Sequence, residues 1–265
     1  MKSSTVKLIV TVLAVIFTGP YCTLAEEEET FSASLDVGAF SKYVWRGWQY
    51  SEDSVVIQPS LTAAYKWFSI NLWENIDTDN KITDDPEYNE TDVTVSYDTS
   101  IGDYDFGIGY VYYNIDDADD CEEFFASICV SKCPVLPTLT IYREVADAQG
   151  WYLNLGISHS FPVMGVITLD LAGSAGYYYS DDNDFVEVDN HLNPTDKRYK
   201  SLHDGLISLG LTIPINNYLT LIPMMAYSFP LVDNADDLIT YDNREAGLEC
   251  DSSYFFGGAT LSISF

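Results

Sequence analysis

The sequence predicts an all-β fold: a transmembrane up-and-down antiparallel β-barrel of twelve strands. Three observations predict it. Segments of about ten residues alternate apolar with small or hydroxylic side chains, aromatic clusters stand at the segment ends, and short turns alternate with long acidic connections. Period-2 alternation sends successive side chains to opposite faces of a sheet. The closing stretch "YFFGGATLSISF" puts Phe265, Ile263, Leu261 and Ala259 on one face and Ser264, Ser262 and Thr260 on the other. One such strand would suit a soluble sandwich equally well. Repetition along an exported chain decides for a barrel.

Export is read from the first residues. "MKSSTVK" carries two lysines, "LIVTVLAVIFTG" is a 12-residue apolar run, and "PYCTLA" ends on a small residue, so residues 1–25 form a secretory signal peptide. The run is too short to cross a bilayer as a helix. Residues 26–265 then form one barrel domain. Cleavage removes two lysines and no acids, taking the formal net charge from −29 to −31. The carboxylates fall in blocks: "DTDNKITDDPEYNETD", "DDADDCEE", "DDNDFVEVD" and "DNADDLITYDNREAGLECD". Such runs belong in neither hydrocarbon nor a packed core, so they read as solvated loops. They also argue against nucleic-acid and anionic-lipid binding, which needs clustered Lys and Arg.

Taken in order, strands are expected at 31–46, 54–66, 68–77, 90–100, 103–114, 136–145, 150–161, 165–179, 202–214, 217–229 and 252–265. Single-chain bacterial barrels have even strand counts. The short connections "KW", "SIGD", "PVMG" and "PINN" belong at the periplasmic end, and the topology closes only with a twelfth strand in "CEEFFASICV", 121–130. Outward parity then holds Leu61, Ala63 and Tyr65; Val93, Val95 and Tyr97; Leu153, Leu155 and Ile157; Ile207, Leu209 and Leu211. The clusters "YVWRGW", "YKWF", "YVYY", "GWY", "GYYY" and "YFF" read as interfacial girdles.

On the first strand Ser41, Tyr43 and Trp45 take the outward parity, and Asp36, Lys42 and Arg46 the inward one. The inward charges, with Asp98 and Asp170 on later strands, suit a lumenal ion-pair ladder or a constriction; Gly47 marks a strand end or a bulge. Inward Gly38, Gly107, Gly109, Gly156, Gly176, Gly210 and Gly258 would keep the bore open, while Phe40, Trp73 and Tyr178 would narrow it. The segment from Ser34 to Asp77, and "SKYVWRG" at Ser41 to Gly47 above all, resembles the amino-terminal region of the TorF family of outer-membrane porins, strongest over residues 35–77. That resemblance implies a barrel carried to the outer membrane by a signal peptide.

Cleavage removes Cys22, leaving Cys121, Cys129, Cys133 and Cys250, an even number suited to disulfides in an oxidising compartment. Three pairings exist, and the strand order favours Cys129 with Cys133 and Cys121 with Cys250. Acid–base chemistry finds little support. His159 takes the outward parity beside Ile157 and Phe161, "AGSAG" lacks the first glycine of a nucleophile elbow, and His203 and Asp204, adjacent on a strand, would point opposite ways. The acidic loops suit loose binding of divalent cations rather than a calcium hand. No enzyme and no cofactor are expected. The function implied is passive passage of small hydrophilic solutes with anions disfavoured, or alternatively a closed structural barrel with cation-binding surface loops. Expected partners are outer-membrane lipids, lipopolysaccharide and, through the Phe265 strand, the barrel-assembly machinery.

Overall fold

The computed structural model describes residues 31–80, 85–116, 119–146 and 148–265; the expected signal peptide, 1–25, lies outside the described residues. The strands are β1 (Phe31–Phe40), β2 (Val44–Trp45), β3 (Trp48–Gln49), β4 (Val56–Tyr65), β5 (Phe68–Asn80), β6 (Asp85–Ile101), β7 (Tyr104–Ile115) and β8 (Cys121–Val130). They continue as β9 (Thr138–Glu144), β10 (Gly150–Met164), β11 (Ile167–Ser180), β12 (Val186–Val188), β13 (Pro194–Arg198), β14 (Lys200–Pro214) and β15 (Leu219–Pro230); helix α1 (Asp233–Glu245) and β16 (Tyr254–Ser264) close the chain.

Twelve strands form one closed antiparallel barrel in the order β1, β4 to β11, β14, β15, β16, with β16 returning to β1. The twelfth strand expected at 121–130 is β8, paired with both β7 and β9. Closure leaves no open edge, which is what a sheet in hydrocarbon requires. At one end the strands join through short turns at 66–67, 102–103, 131–137, 165–166 and 215–218, and both Phe31 and Phe265 lie there. Gly102 and Gly165 take φ of +65° and +60° in two of these turns, the left-handed region glycine favours. The longer connections gather at the opposite, loop end.

Alternation sorts the wall as expected. Leu61, Ile70, Val95, Ile108, Leu155, Ile157, Ile207, Leu209 and Leu261 are exposed on the outside, with Phe68, Tyr104, Tyr218 and Phe265 exposed near the turn end and Trp151, Tyr179, Tyr227 and Phe255 nearer the loop end. An apolar band between two aromatic rims is the profile of a bilayer-spanning barrel. No helix among the described residues is long and apolar enough to cross a membrane.

β5 and β6 run on into the acidic block 77–92, expected as a solvated loop, and bury Asp77 and Glu90, and β12, inside the acidic stretch after Ser180, pairs with β13 beyond it; two further departures from the sequence reading shape the mouth. β1 stops at Phe40 rather than at 46, and 41–55 turns inward as a loop carrying the two-stranded ribbon of β2 and β3. Its turn residues Arg46 and Gly47 take φ of +47° and +90°. Two positive φ values are the signature of the two-residue hairpin turn whose twist matches its strands. Tyr43 and Val44 are consequently buried inside the mouth, not displayed in an outer girdle. The acidic stretch after Pro230 is the second departure: it holds α1 rather than a solvated loop, and Ala235, Leu238 and Ile239 bury one face of it. Asp233 and Asp236 sit in its first turn and Arg244 in its last, the favourable sense for the helix dipole.

Candidate functional site

The bore is divided along its length. Toward the turn end its wall carries small polar side chains, among them Ser60, Ser127, Thr140, Thr260 and Ser262, which are buried. The carboxylates Asp36, Asp98, Asp105 and Asp170 share this parity, and none of the described barrel strands places Lys or Arg on the inward face. Asp170 accepts hydrogen bonds from Thr212 at 2.7 Å and Thr168 at 3.1 Å, and Asp98 accepts one from Ser96 at 2.9 Å. Asp36 accepts from Ser34 at 3.5 Å.

Toward the loop end the bore is filled. Val44 and Ile239 pack with Ala226, Tyr254 and Phe256; Phe40, Tyr43, Val56 and Trp73 form a second cluster; Leu238 joins Val188 and Tyr199 in a third. The ribbon and α1 supply the inner members of these clusters, so apolar burial draws both into the mouth. Trp48 fastens one to the other, donating its indole N–H to Asp242 at 2.9 Å and lying 4.3 Å from the His203 ring.

Several inward glycines turn out to seat rings rather than widen the bore. A Cβ on Gly38 would lie 2.3 Å from the Phe40 ring, one on Gly109 2.5 Å from Phe125, and one on Gly258 2.7 Å from Phe40 as well as 1.9 Å from Ala39 O. At Gly176 it would meet Asp204 and the Tyr152 hydroxyl at 2.1 and 2.5 Å. Gly156 and Gly210 have no neighbour nearer than 3.5 Å and conform to the expected open reading.

Arg46 occupies the centre of the filled zone. Its two terminal nitrogens donate to Glu123 of β8 at 2.7 Å each, with Arg46 8% and Glu123 3% exposed. A planar fork meeting both oxygens of a carboxylate is the strong geometry for this pair. Rings of Tyr152, Trp45 and Tyr142 stand 4.2, 4.2 and 4.6 Å from the guanidinium carbon, within cation–π reach. The Tyr178 hydroxyl accepts a longer contact at 3.4 Å. Glu123 is held in turn by the Tyr113 hydroxyl at 2.8 Å, and Tyr152 donates to Asp204 at 3.0 Å. The Arg46 Nε–H has no partner among the described residues, a deficit of about 1–3 kcal/mol for a buried donor.

The charges expected on the first strand are thus inside, but not as a ladder. Arg46 pairs with Glu123, a residue the sequence reading did not single out, and Lys42 donates to Gln49 at 2.6 Å within its own loop. Asp36 sits with Ser34, apart from both. The His203 and Asp204 expectation is also corrected. Pairing of β11 with β14 slips between Ala175–Gly205 and Tyr177–Leu202, so β14 carries one extra residue and both neighbours turn inward, buried. His203 Nδ1 is hydrogen-bonded to the Tyr199 hydroxyl at 2.7 Å.

Neither expected disulfide is formed. Cys133 and Cys250 are free thiols. Cys129 is buried on the lumenal parity of β8 while Cys133 lies in the turn beyond it, so their side chains do not face each other as a bridge demands. No group of three or more His, Cys, Asp or Glu among the described residues is arranged to hold a metal ion.

A family model described as a bacterial protein of unknown function, Gcw_chp, matches residues 24–188, more than half of the chain and inclusive of Arg46, Glu123 and the rings around them. The chain belongs to the Gcw_chp family. No curated protein matches this Gcw_chp chain. Among solved structures, the translocator domain of the autotransporter NalP from Neisseria meningitidis is 9% identical with a TM-score of 0.43, covering 90% of this chain and 89% of that one. A bacterial polysaccharide outer membrane secretin is 8% identical at a TM-score of 0.41, with coverage of 89% and 99%. An anion-selective porin from Comamonas acidovorans is 10% identical at 0.35, also covering 89% and 99%. At these values the likeness is to barrels in general, and no activity passes from them to this Gcw_chp member.

Proposed function

We propose that the chain is an outer-membrane channel for small hydrophilic solutes, closed at its extracellular mouth by the 41–55 loop and α1. The observation that carries this reading is the divided bore: an inner wall of hydroxyl and carboxylate side chains below, and above it a stopper held by apolar clusters and by the Arg46–Glu123 ion pair. On this reading the signal peptide is cleaved after Ala25, the short turns and both ends of the mature chain face the periplasm, and the TorF-like segment 35–77 carries the stopper. Inward Asp36, Asp98 and Asp170, with no lumenal Lys or Arg on the described strands, disfavour anions. Phe265 presents the last strand to the barrel-assembly machinery, and the outer carboxylates meet lipopolysaccharide through divalent cations.

The test is conductance across a planar bilayer with unequal KCl on the two sides. The wild-type barrel is expected to conduct weakly, and a variant with 42–50 replaced by a short Gly-Ser link to conduct several-fold more, with a cation-selective reversal potential. An anion-selective sign contradicts the electrostatic part. A shortened variant that folds yet stays silent supports the second reading, a closed surface-interaction barrel, which the three apolar clusters in the mouth favour.

A further inference from the structure

The wall around Arg46 is complete without the ribbon. Tyr113, Glu123, Tyr142, Tyr152 and Tyr178 come from five consecutive barrel strands, β7 to β11, and only Arg46 and Trp45 are brought by the hairpin. Glu123 is almost wholly buried while Arg46 covers it, and with the ribbon withdrawn its one remaining hydrogen bond among those described would be from Tyr113. A buried carboxylate so placed calls for a cation, and rings flanking it select one that is flat and weakly hydrated. The bidentate contact further selects a fork of two N–H donors over a single ammonium.

We infer that this wall pocket is a binding site for small solutes bearing a guanidinium group, and that Arg46 is its built-in occupant, filling the pocket while the mouth is closed. A free guanidinium competes with the hairpin for Glu123. The displacement is helped by a defect in the resident's fit, the Nε–H that finds no acceptor among the described residues. The inference deepens the proposed channel by naming a solute class and rests on it in that respect alone.

The test is chemical rescue of Arg46→Ala, purified in detergent micelles, with methylguanidinium chloride at low-millimolar concentration. Expected is a saturable rise in Tm of about 2–4 °C, with a smaller effect of methylammonium chloride and none of KCl at equal ionic strength. The response should vanish in Arg46→Ala/Glu123→Gln, which has no orphaned carboxylate and serves as the folded control. Should Arg46→Ala not fold unaided, methylguanidinium in the refolding buffer is expected to restore its folded yield. Equal effects of methylguanidinium and methylammonium, or rescue that persists without Glu123, overturn the inference. The readout is stability, so a non-conducting barrel leaves this test intact, and a conducting barrel without rescue sinks only the pocket.

Discussion

At the scale of single residues, the molecule turns on Arg46 and the glycine beside it. A buried ion pair is expensive to assemble and more expensive to break, because the survivor keeps its charge in a poorly solvating place. Arg46→Ala and Glu123→Gln should therefore each cost about 3–5 kcal/mol, while the double substitution costs clearly less than their sum. Denaturant unfolding followed by tryptophan fluorescence checks this, and strict additivity would deny the coupling. Gly47 has a different reason to be glycine. Its φ is +90°, and a Cβ there would stand 3.0 Å from that of Asp204 and 3.3 Å from Ile239. Gly47→Ala should destabilise the docked hairpin by about 1–3 kcal/mol, seen as faster proteolysis within 41–55 while the barrel itself stays resistant to heat. Glu123 was not legible in the sequence because it sits in "DDADDCEE", among carboxylates that are solvated in bulk; only its register opposite Val111 and Glu144 turns it inward.

At the scale of elements, α1 closes over the hairpin, and its hold depends on pH. Burial beside Trp48 raises the Asp242 carboxyl to about 6, opposed by the Trp48 hydrogen bond and reinforced by Glu245. Its ordinary value is 3.8. The docked helix thus binds a proton that the released helix gives up, so docking is strongest below about pH 4 and weakens as pH rises through about 6. Protection factors for amide exchange in 233–245, corrected for the intrinsic rate at each pH, should rise on going from near-neutral to mildly acidic buffer, and Asp242→Asn should abolish that rise. The twelve barrel strands were legible, including the short one at 121–130, because alternation and strand parity constrain each other. The inner elements were not. "SKYVWRG" continues the alternation of β1, so nothing in its period announces a bend; the telling sign was two tryptophans on either side of Arg-Gly, the mirror pattern of a hairpin. In α1, the spacing of Ala235, Leu238 and Ile239 is helical, but the surrounding aspartates hid it. The cysteine pairing failed for a related reason: sequence separation says little about which side of a strand a thiol takes.

At the scale of the whole molecule, the outer face is oily and the inner face polar, and placement in the bilayer follows from that inversion. Ile157 stands on the outside near the middle of β10, and Ser158 next to it faces the bore. Ile157→Arg should cost about 2–4 kcal/mol of folding into lipid vesicles, and Ser158→Arg much less. Similar costs at both positions would mean that the apolar rows are buried against protein instead.

The hairpin's place in the chain has a consequence for assembly. It follows β1, yet its anchors lie far downstream: Glu123 is 77 residues on, Tyr178 132 residues, and Asp242 194 residues from Trp48. The stopper thus precedes its partners in the polypeptide, the wall pocket of β7 to β11 lying mid-chain and α1 near the end. Seating the hairpin therefore depends on contacts that span most of the polypeptide, and deletion of α1 should leave it held only by its contacts to the barrel wall.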